Sequence, residues 1–246
     1  MARVKDWIYG FFMAWGMFLT IPCPFRRWRE SARGKMLVCL PLVGLIVGAV
    51  WGGLALLLGR APAPVRALVL TAAPWLCTGF MHLDGFMDVC DAVLSRRDLA
   101  ARQSILKDSH CGAFAVIAMT LLALGQWSFF LAAGPLRFLP LLLIPVATRA
   151  CTATAVLCLP AMSTSQYAAM EKRKSGYAAF TVLAGLAAAA VPLALCGSFA
   201  PLAAAAVCIG GIWYGTRQLG GMSGDISGFA LTLGELAGAA MLALAG

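Results

Sequence analysis

Charge is scarce in this chain. Only 12% of its 246 residues are Asp, Glu, Lys or Arg, 61% are hydrophobic, and the mean hydropathy is +0.87. A soluble globular domain carries about 25% charged residues, so that class is excluded. Acids are scarcest, at ten, and there are only two histidines. Nine cysteines stand at positions 23, 39, 77, 90, 111, 151, 158, 196 and 208, and none forms a C-x-x-C pair. That spacing supports neither a zinc site nor a disulfide framework, and the thiols read as small buried apolar groups. Basic and aromatic residues do not interleave and no nucleic-acid motif occurs, so a nucleic-acid partner is not expected. No internal repeat or low-complexity linker divides the chain, which reads as one domain, 1–246, with its oligomeric state left open.

What the chain has instead is long uncharged stretches. Met36 to Leu58 contains no charged residue, and neither does Ser175 to Thr216, which is broken only at Cys196-Gly197-Ser198. A membrane crossing needs about 20 apolar residues. The expectation is an all-α, polytopic transmembrane helix bundle in the lipid bilayer, with seven or eight segments. These are Trp7–Ile21, Met36–Leu58, Val65–Met81, Gly112–Leu131, Phe138–Leu159, Tyr177–Cys196, Phe199–Thr216 and Ile226–Ala245. The first resembles a signal peptide but is followed by Pro22-Cys23-Pro24 and no small-residue cleavage site, so it is read as retained, crossing the membrane or lying on it. The alanine runs 187–190 and 203–206 let helices approach closely.

The connecting segments alternate between basic and sparse. One set holds thirteen cations, among them Arg26, Arg27, Arg29, Arg33, Lys35, Arg96, Arg97, Arg102, Lys107, Lys172, Arg173, Lys174 and Arg217; the other holds Arg60, Arg66 and Arg137. The excess of positive charge assigns the first set to the cytoplasm, and the net charge of +9 follows from topology and anionic lipid. Asp84, Asp88, Asp91, Asp98, Asp108, Glu171 and Asp225 then reach the same side.

Three of the ten acids fall in His82-Leu83-Asp84-Gly85-Phe86-Met87-Asp88-Val89-Cys90-Asp91. In a helix the i, i+4, i+7 spacing puts them at about 0°, 40° and −20° around the axis, on one face. Neighbours roughly 6 Å apart repel by roughly 3 kcal/mol at an effective dielectric of about 20. A bound divalent cation resolves that repulsion. Hard oxygen ligands without imidazole or thiolate select Mg²⁺ or Mn²⁺, and Mg²⁺ leaves positions open for substrate phosphates. Segment 84–111 is expected to form a cytoplasmic motif loop or amphipathic helix.

Two further clusters accompany it. Lys107-Asp108-Ser109-His110-Cys111-Gly112 enters an apolar span. Its helix start, the Lys107 charge, the Ser109 hydroxyl and Gly112 form either a phosphate cradle or a simple cap by Asp108 or Ser109. Gly220-Gly221-Met222-Ser223-Gly224-Asp225-Ile226-Ser227-Gly228 is a turn before the last span. It supplies a second metal or phosphate loop through Asp225 and Gly224, or Asp225 merely caps a helix. Arg149 and Glu235 lie inside apolar segments; Arg149 binds a phosphate or pairs with an acid, and Glu235 makes a structural hydrogen bond. His82 is either a hydrogen-bonded structural group or a base.

The first cluster resembles the H-L-D-G-x-x-D-x-x-D signature of the cobalamin (5′-phosphate) synthases, the adenosylcobinamide-GDP ribazoletransferases. Lys107-Asp108-Ser109 with Gly112 is similar to their second motif. Gly220 to Asp225 and Leu233-Gly234-Glu235-Leu236 are similar to their C-terminal signature, Phe18–Pro24 to their N-terminal element, and Arg149 to a mid-chain Arg. Thr20, His110 and Ala113 depart from the pattern, which usually has Arg, Arg and Thr there. The resemblance implies an enzyme of the bacterial or archaeal cytoplasmic membrane with its active site facing the cytoplasm. It would join adenosylcobinamide-GDP to α-ribazole or its 5′-phosphate and release GMP, with Mg²⁺. Asp84, Asp88 and Asp91, with Asp225, would hold the metal. Lys107, Ser109, Gly112, Arg149 and Gly224 would contact substrate, and Asp108 or His82, or a metal-held Asp, would take the nucleophile's proton.

Two other classes fit the sequence less well. A CDP-alcohol phosphotransferase needs D-G-x-x-A-R, but Asp88-Val89 stands where Ala-Arg belongs. A cation transporter favours acids at mid-membrane, whereas these cluster at one edge.

Overall fold

The computed structural model describes residues 2–163, 165 and 175–244. Glu171, Lys172, Arg173 and Lys174 lie outside the described residues. Eleven α-helices follow one another among those described: α1 (Ala2–Phe18), α2 (Arg33–Val38), α3 (Leu40–Leu57), α4 (Ala63–Cys77), α5 (Met81–Leu94), α6 (Leu99–Ile105), α7 (Ala113–Ala132), α8 (Phe138–Cys158), α9 (Ser175–Cys196), α10 (Ala200–Leu219) and α11 (Gly224–Leu244). No strand occurs among the described residues beyond an isolated parallel bridge between Ala161 and Met222, which ties the end of α8 to the start of α11.

Among the described residues five helices are long and apolar enough to cross a membrane: α3, α7, α8, α9 and α11. A sixth crossing is counted if α4 and α5, which bend by 92° at their junction, are taken as one. This is fewer than the seven or eight expected. α1 is 17 residues long and opens with charged side chains, and α10 turns polar over its last turns, from Trp213 to Leu219. The expected span Val65–Met81 ends early because Gly79 (φ 59°) and Phe80 (φ 63°) turn the chain through the left-handed region. A Cβ on Gly79 would lie 2.8 Å from the Thr20 methyl, so both the turn and the contact require glycine. Thr20 holds this corner, its hydroxyl donating to the Leu76 carbonyl at 2.7 Å and its N–H to that of Cys77 at 2.9 Å.

α8 and α11 form the centre of the bundle. In α8 67% of the span is covered by other helices, against 22% in α7 and α9, which face outward. Gly44, Gly48 and Gly52 make a four-residue ladder along α3 that lies directly on the α8 backbone at Pro145, Leu142 and Phe138. No hydrophobic drive separates helix from lipid tail inside a bilayer, so such close backbone approach supplies the packing energy. Ala204 of α10 lies against Gly234 of α11 in the same way.

Candidate active site

Two motifs about 140 residues apart in sequence meet backbone to backbone. A Cβ on Gly85 of α5 would lie 2.9 Å from the Asp225 Cα, and one on Gly228 of α11 would lie 2.6 Å from the His82 carbonyl oxygen. Phe86 stacks on Phe229 at 5.8 Å, closing the contact below, and the Thr232 hydroxyl donates to the His82 carbonyl. Gly85 and Gly228 therefore let α5 and α11 approach until His82, Asp84 and Asp225 share a cavity.

Ser223 caps α11, its Oγ accepting the Ile226 N–H at 3.2 Å and donating to Asp225 Oδ2 at 3.4 Å. The helix cap, one of the two roles open to Asp225, is made by Ser223. That frees the Asp225 carboxylate, in the first turn, for the cavity.

The cavity has a volume of about 380 Å³. Its polar wall carries His82, Asp84, Lys107, Arg149, Ser223, Gly224, Asp225 and Ser227. Its other wall is apolar, from Met17 and Phe18 of α1, Leu40 of α3, Met81, and Met162 beyond α8. Arg149 is 2% exposed, yet it lines this cavity. Its Nη1 donates to the Pro145 carbonyl at 3.3 Å and to Glu235 Oε1 at 2.9 Å, while Nε and Nη2 make no hydrogen bond to any described residue. The two intramembrane charges of the sequence are thus one buried ion pair.

Several sequence expectations are not met by the geometry. Asp84, Asp88 and Asp91 do stand on one helix, α5, but they do not form one site. Seven residues of helix span roughly 10 Å, so a shared face carries its two ends to different neighbours. Asp91 turns to the start of α7, where Oδ1 accepts the Ala115 N–H at 3.4 Å. Its carboxylate fills the space where a Gly112 side chain would be, so Gly112 makes room for Asp91. Asp88, half-buried between them, feels the charge of Asp84, Asp91 and Asp225 but does not line the cavity. Among the described residues no group of three or more His, Cys, Asp or Glu is gathered to hold a metal ion.

Asp108, Ser109 and Gly112 also lie off the cavity wall. Asp108 is exposed and accepts from His110 through both the backbone N–H at 3.0 Å and Nδ1 at 2.6 Å. These bonds hold its carboxyl below the ordinary carboxylate range, the wrong direction for a base. His82 reaches the cavity, but its buried Nδ1 has no hydrogen-bond partner among the described residues. Charging the ring would leave a buried N–H unpaired, so His82 is suited to work as a neutral imidazole.

Ser223, Ser227 and Thr152 line the cavity without having been singled out. Ser223 and Ser227 stood in the glycine-rich cluster, where a serine ahead of an apolar span is a cap signal. Thr152 carried no signal beyond lying one turn after Arg149.

The family model for cobalamin-5-phosphate synthase matches residues 10–243. The adenosylcobinamide-GDP ribazoletransferase of Clostridium perfringens (strain 13 / Type A) is 35% identical over 245 residues, covering 94% of this chain and 96% of that protein. The protein of the same name from Halalkalibacterium halodurans is 33% identical over 255 residues, covering 95% and 94%. That from Clostridium botulinum (strain Alaska E43 / Type E3) is 31% identical over 255 residues, covering 96% and 97%. No solved structure matches. With two motifs joined at one cavity and the likeness running nearly end to end, the chain belongs to the cobalamin-5-phosphate synthase family.

Proposed function

We propose that this chain is an adenosylcobinamide-GDP ribazoletransferase. It joins adenosylcobinamide-GDP to α-ribazole or its 5′-phosphate and releases GMP, with Mg²⁺ as cofactor. The observation that carries the reading is the convergence of Asp84, Lys107, Arg149 and Asp225 on one cavity in a member of this family. The ribazole hydroxyl oxygen attacks the phosphorus that bears the cobinamide. The bond from that phosphorus to the bridging oxygen breaks, and GMP leaves with the bond's electron pair.

Lys107 and the free donors of Arg149 bind the phosphate oxygens, Lys107 as a point charge and Arg149 as a fork. Yet the charges balance against the substrate. Asp84 and Asp225 offset Lys107 and Arg149, and Glu235 lies behind Arg149. The cavity has no positive surplus to hold a diphosphate. A cation is needed, and the donor set fits one. Asp84 and Asp225 offer hard oxygens, and Mg²⁺ is characteristically bound by one or two carboxylates, with water and substrate phosphates completing its shell. When bound, Mg²⁺ neutralises charge on the diphosphate and on the departing GMP. Asp88 and Asp91 are left out of this set. The proton of the attacking hydroxyl goes to Asp225, which Ser223 orients, while neutral His82 orients the hydroxyl.

The cavity faces the cytoplasm in this reading, in a bacterial or archaeal inner membrane. Lys107 lines the cavity, Lys35 lies just ahead of Leu40, and Arg102 bonds Gln218 at the same end; Arg60 and Arg137 lie at the other ends of their helices.

The test is GMP release by the purified full chain in liposomes supplied with adenosylcobinamide-GDP and α-ribazole. Turnover should vanish on chelation, return with Mg²⁺, and be abolished in Asp84→Ala and Asp225→Ala with membrane insertion intact. No GMP with any benzimidazole riboside refutes the activity; full activity in both variants refutes the metal site.

A further inference from the structure

The Arg149–Glu235 pair is built into the middle of α8 and α11, with both side chains almost fully buried, at 2% and 3% exposure. Glu235 reaches only one nitrogen of the guanidinium, and the same nitrogen bonds the Pro145 carbonyl. The Pro145 carbonyl, one helical turn back, braces Arg149 from within α8. Nε and Nη2 remain without a partner among the described residues, on a side chain that lines the cavity. A buried charge is held by fixed partners on one side and aimed at an open space on the other.

Resting on the diphosphate-transfer reading above, we propose that Glu235 is a positioning residue: it is the resident counter-ion of Arg149. It holds the fork toward the diphosphate and offsets its charge, so that anionic products are released. Removing one partner of a buried pair leaves the other charge uncompensated, which is strongly unfavourable until an anion supplies the missing charge. An anion entering the cavity would then bind Arg149 more tightly than it does now. The pair therefore trades ground-state affinity for turnover.

The probe is GDP with MgCl₂, titrated calorimetrically into the full chain in detergent, with thermal unfolding followed in parallel. Glu235→Gln keeps an acceptor for Nη1 and removes the charge. The variant should unfold at a lower temperature than the wild type, and GDP should close much of that gap. It should bind GDP about tenfold more tightly, as expected from the low end of coupling energies between close buried charges. In turnover, KM for the diphosphate substrate and kcat should fall together; a merely structural role would lower the active fraction and leave KM unchanged. Folded Glu235→Gln with unchanged or weaker GDP affinity overturns the proposal.

The double variant Arg149→Met/Glu235→Leu replaces the pair by apolar side chains, a change that buried pairs often tolerate. It should remain folded and lose GDP affinity by at least tenfold. Wild-type affinity in this variant, or no GDP binding by the wild type, also overturns the proposal. Failure of GMP release is a separate result: it removes the activity, whereas the GDP titrations judge the pair itself.

Discussion

The contact of α5 with α11 at Gly85 gives a sharp test of the site. Replacing Gly85 by Ala would put a methyl carbon 2.9 Å from the Asp225 Cα, 3.0 Å from its carbonyl oxygen and 3.3 Å from its carbonyl carbon. Contacting carbons settle at about 3.5–4.0 Å, so the helices must part by roughly 0.5–1 Å. All three obstacles are backbone, and no side-chain rotation relieves them. Overpacking of this kind costs about 1–3 kcal/mol in stability. Function is hit harder than stability, because the atoms displaced belong to Asp225 itself. A misplacement of about 1 Å costs on the order of 100-fold in rate. The assay is GMP release per folded molecule, with thermal unfolding measured on the same sample. Gly210→Ala is the control: a Cβ there meets no atom within 4 Å, and this exposed mid-helix alanine should be neutral or stabilise by up to about 1 kcal/mol. Gly85→Ala with unchanged kcat and unfolding temperature would show that the α5–α11 spacing is not what aligns the site.

Asp91 separates a helix anchor from a metal ligand. Asp91→Ala should cost about 1 kcal/mol, typical of a lost helix cap, and retain measurable turnover, with Asn less damaging than Ala; abolished activity in both folded variants would return Asp91 to the metal. Asp108→Asn should leave the acid limb of the pH–rate profile unmoved, since Asp108 lies off the cavity and His110 keeps it ionised; a shifted limb would make it the base. The same depressed carboxyl gives a stability effect with a defined sign: it is present above the ordinary carboxylate value and lost as pH falls through the lower folded value, so His110→Ala should flatten acid unfolding in that window, read by circular dichroism. His82→Gln, which keeps a neutral hydrogen-bonding tip, should retain more activity than His82→Ala; equal activities would remove its orienting role.

Much of the architecture could be read from hydropathy and charge. Long uncharged runs admit only helices in a bilayer, where every backbone group must be bonded within its own segment. The count of crossings is harder to read, because the turn at Gly79–Phe80 bends the chain through a stretch that looks continuously apolar. At the site, four residues singled out by type, Asp84, Lys107, Arg149 and Asp225, line one cavity. Periodicity puts Asp84, Asp88 and Asp91 on one helix, but only Asp84 lines the cavity, since angle around a helix says nothing of distance along it. Asp108 lies off the cavity and bonds His110, because a carboxylate in a motif can serve its own loop. Sequence alone does not pair Arg149 with Glu235; the crossing of α8 and α11 brings the two together.

The 92° corner between α4 and α5 has a consequence for depth. A helix turned by that angle from one standing along the membrane normal runs in the plane of the bilayer. Its acids then follow one another sideways, at nearly constant distance from water. The resulting ledge holds Asp84 exposed at the edge of the hydrocarbon, while Asp88 is half-buried and Asp91 turns to α7. A bulky, water-borne molecule can approach along that ledge instead of threading between crossings.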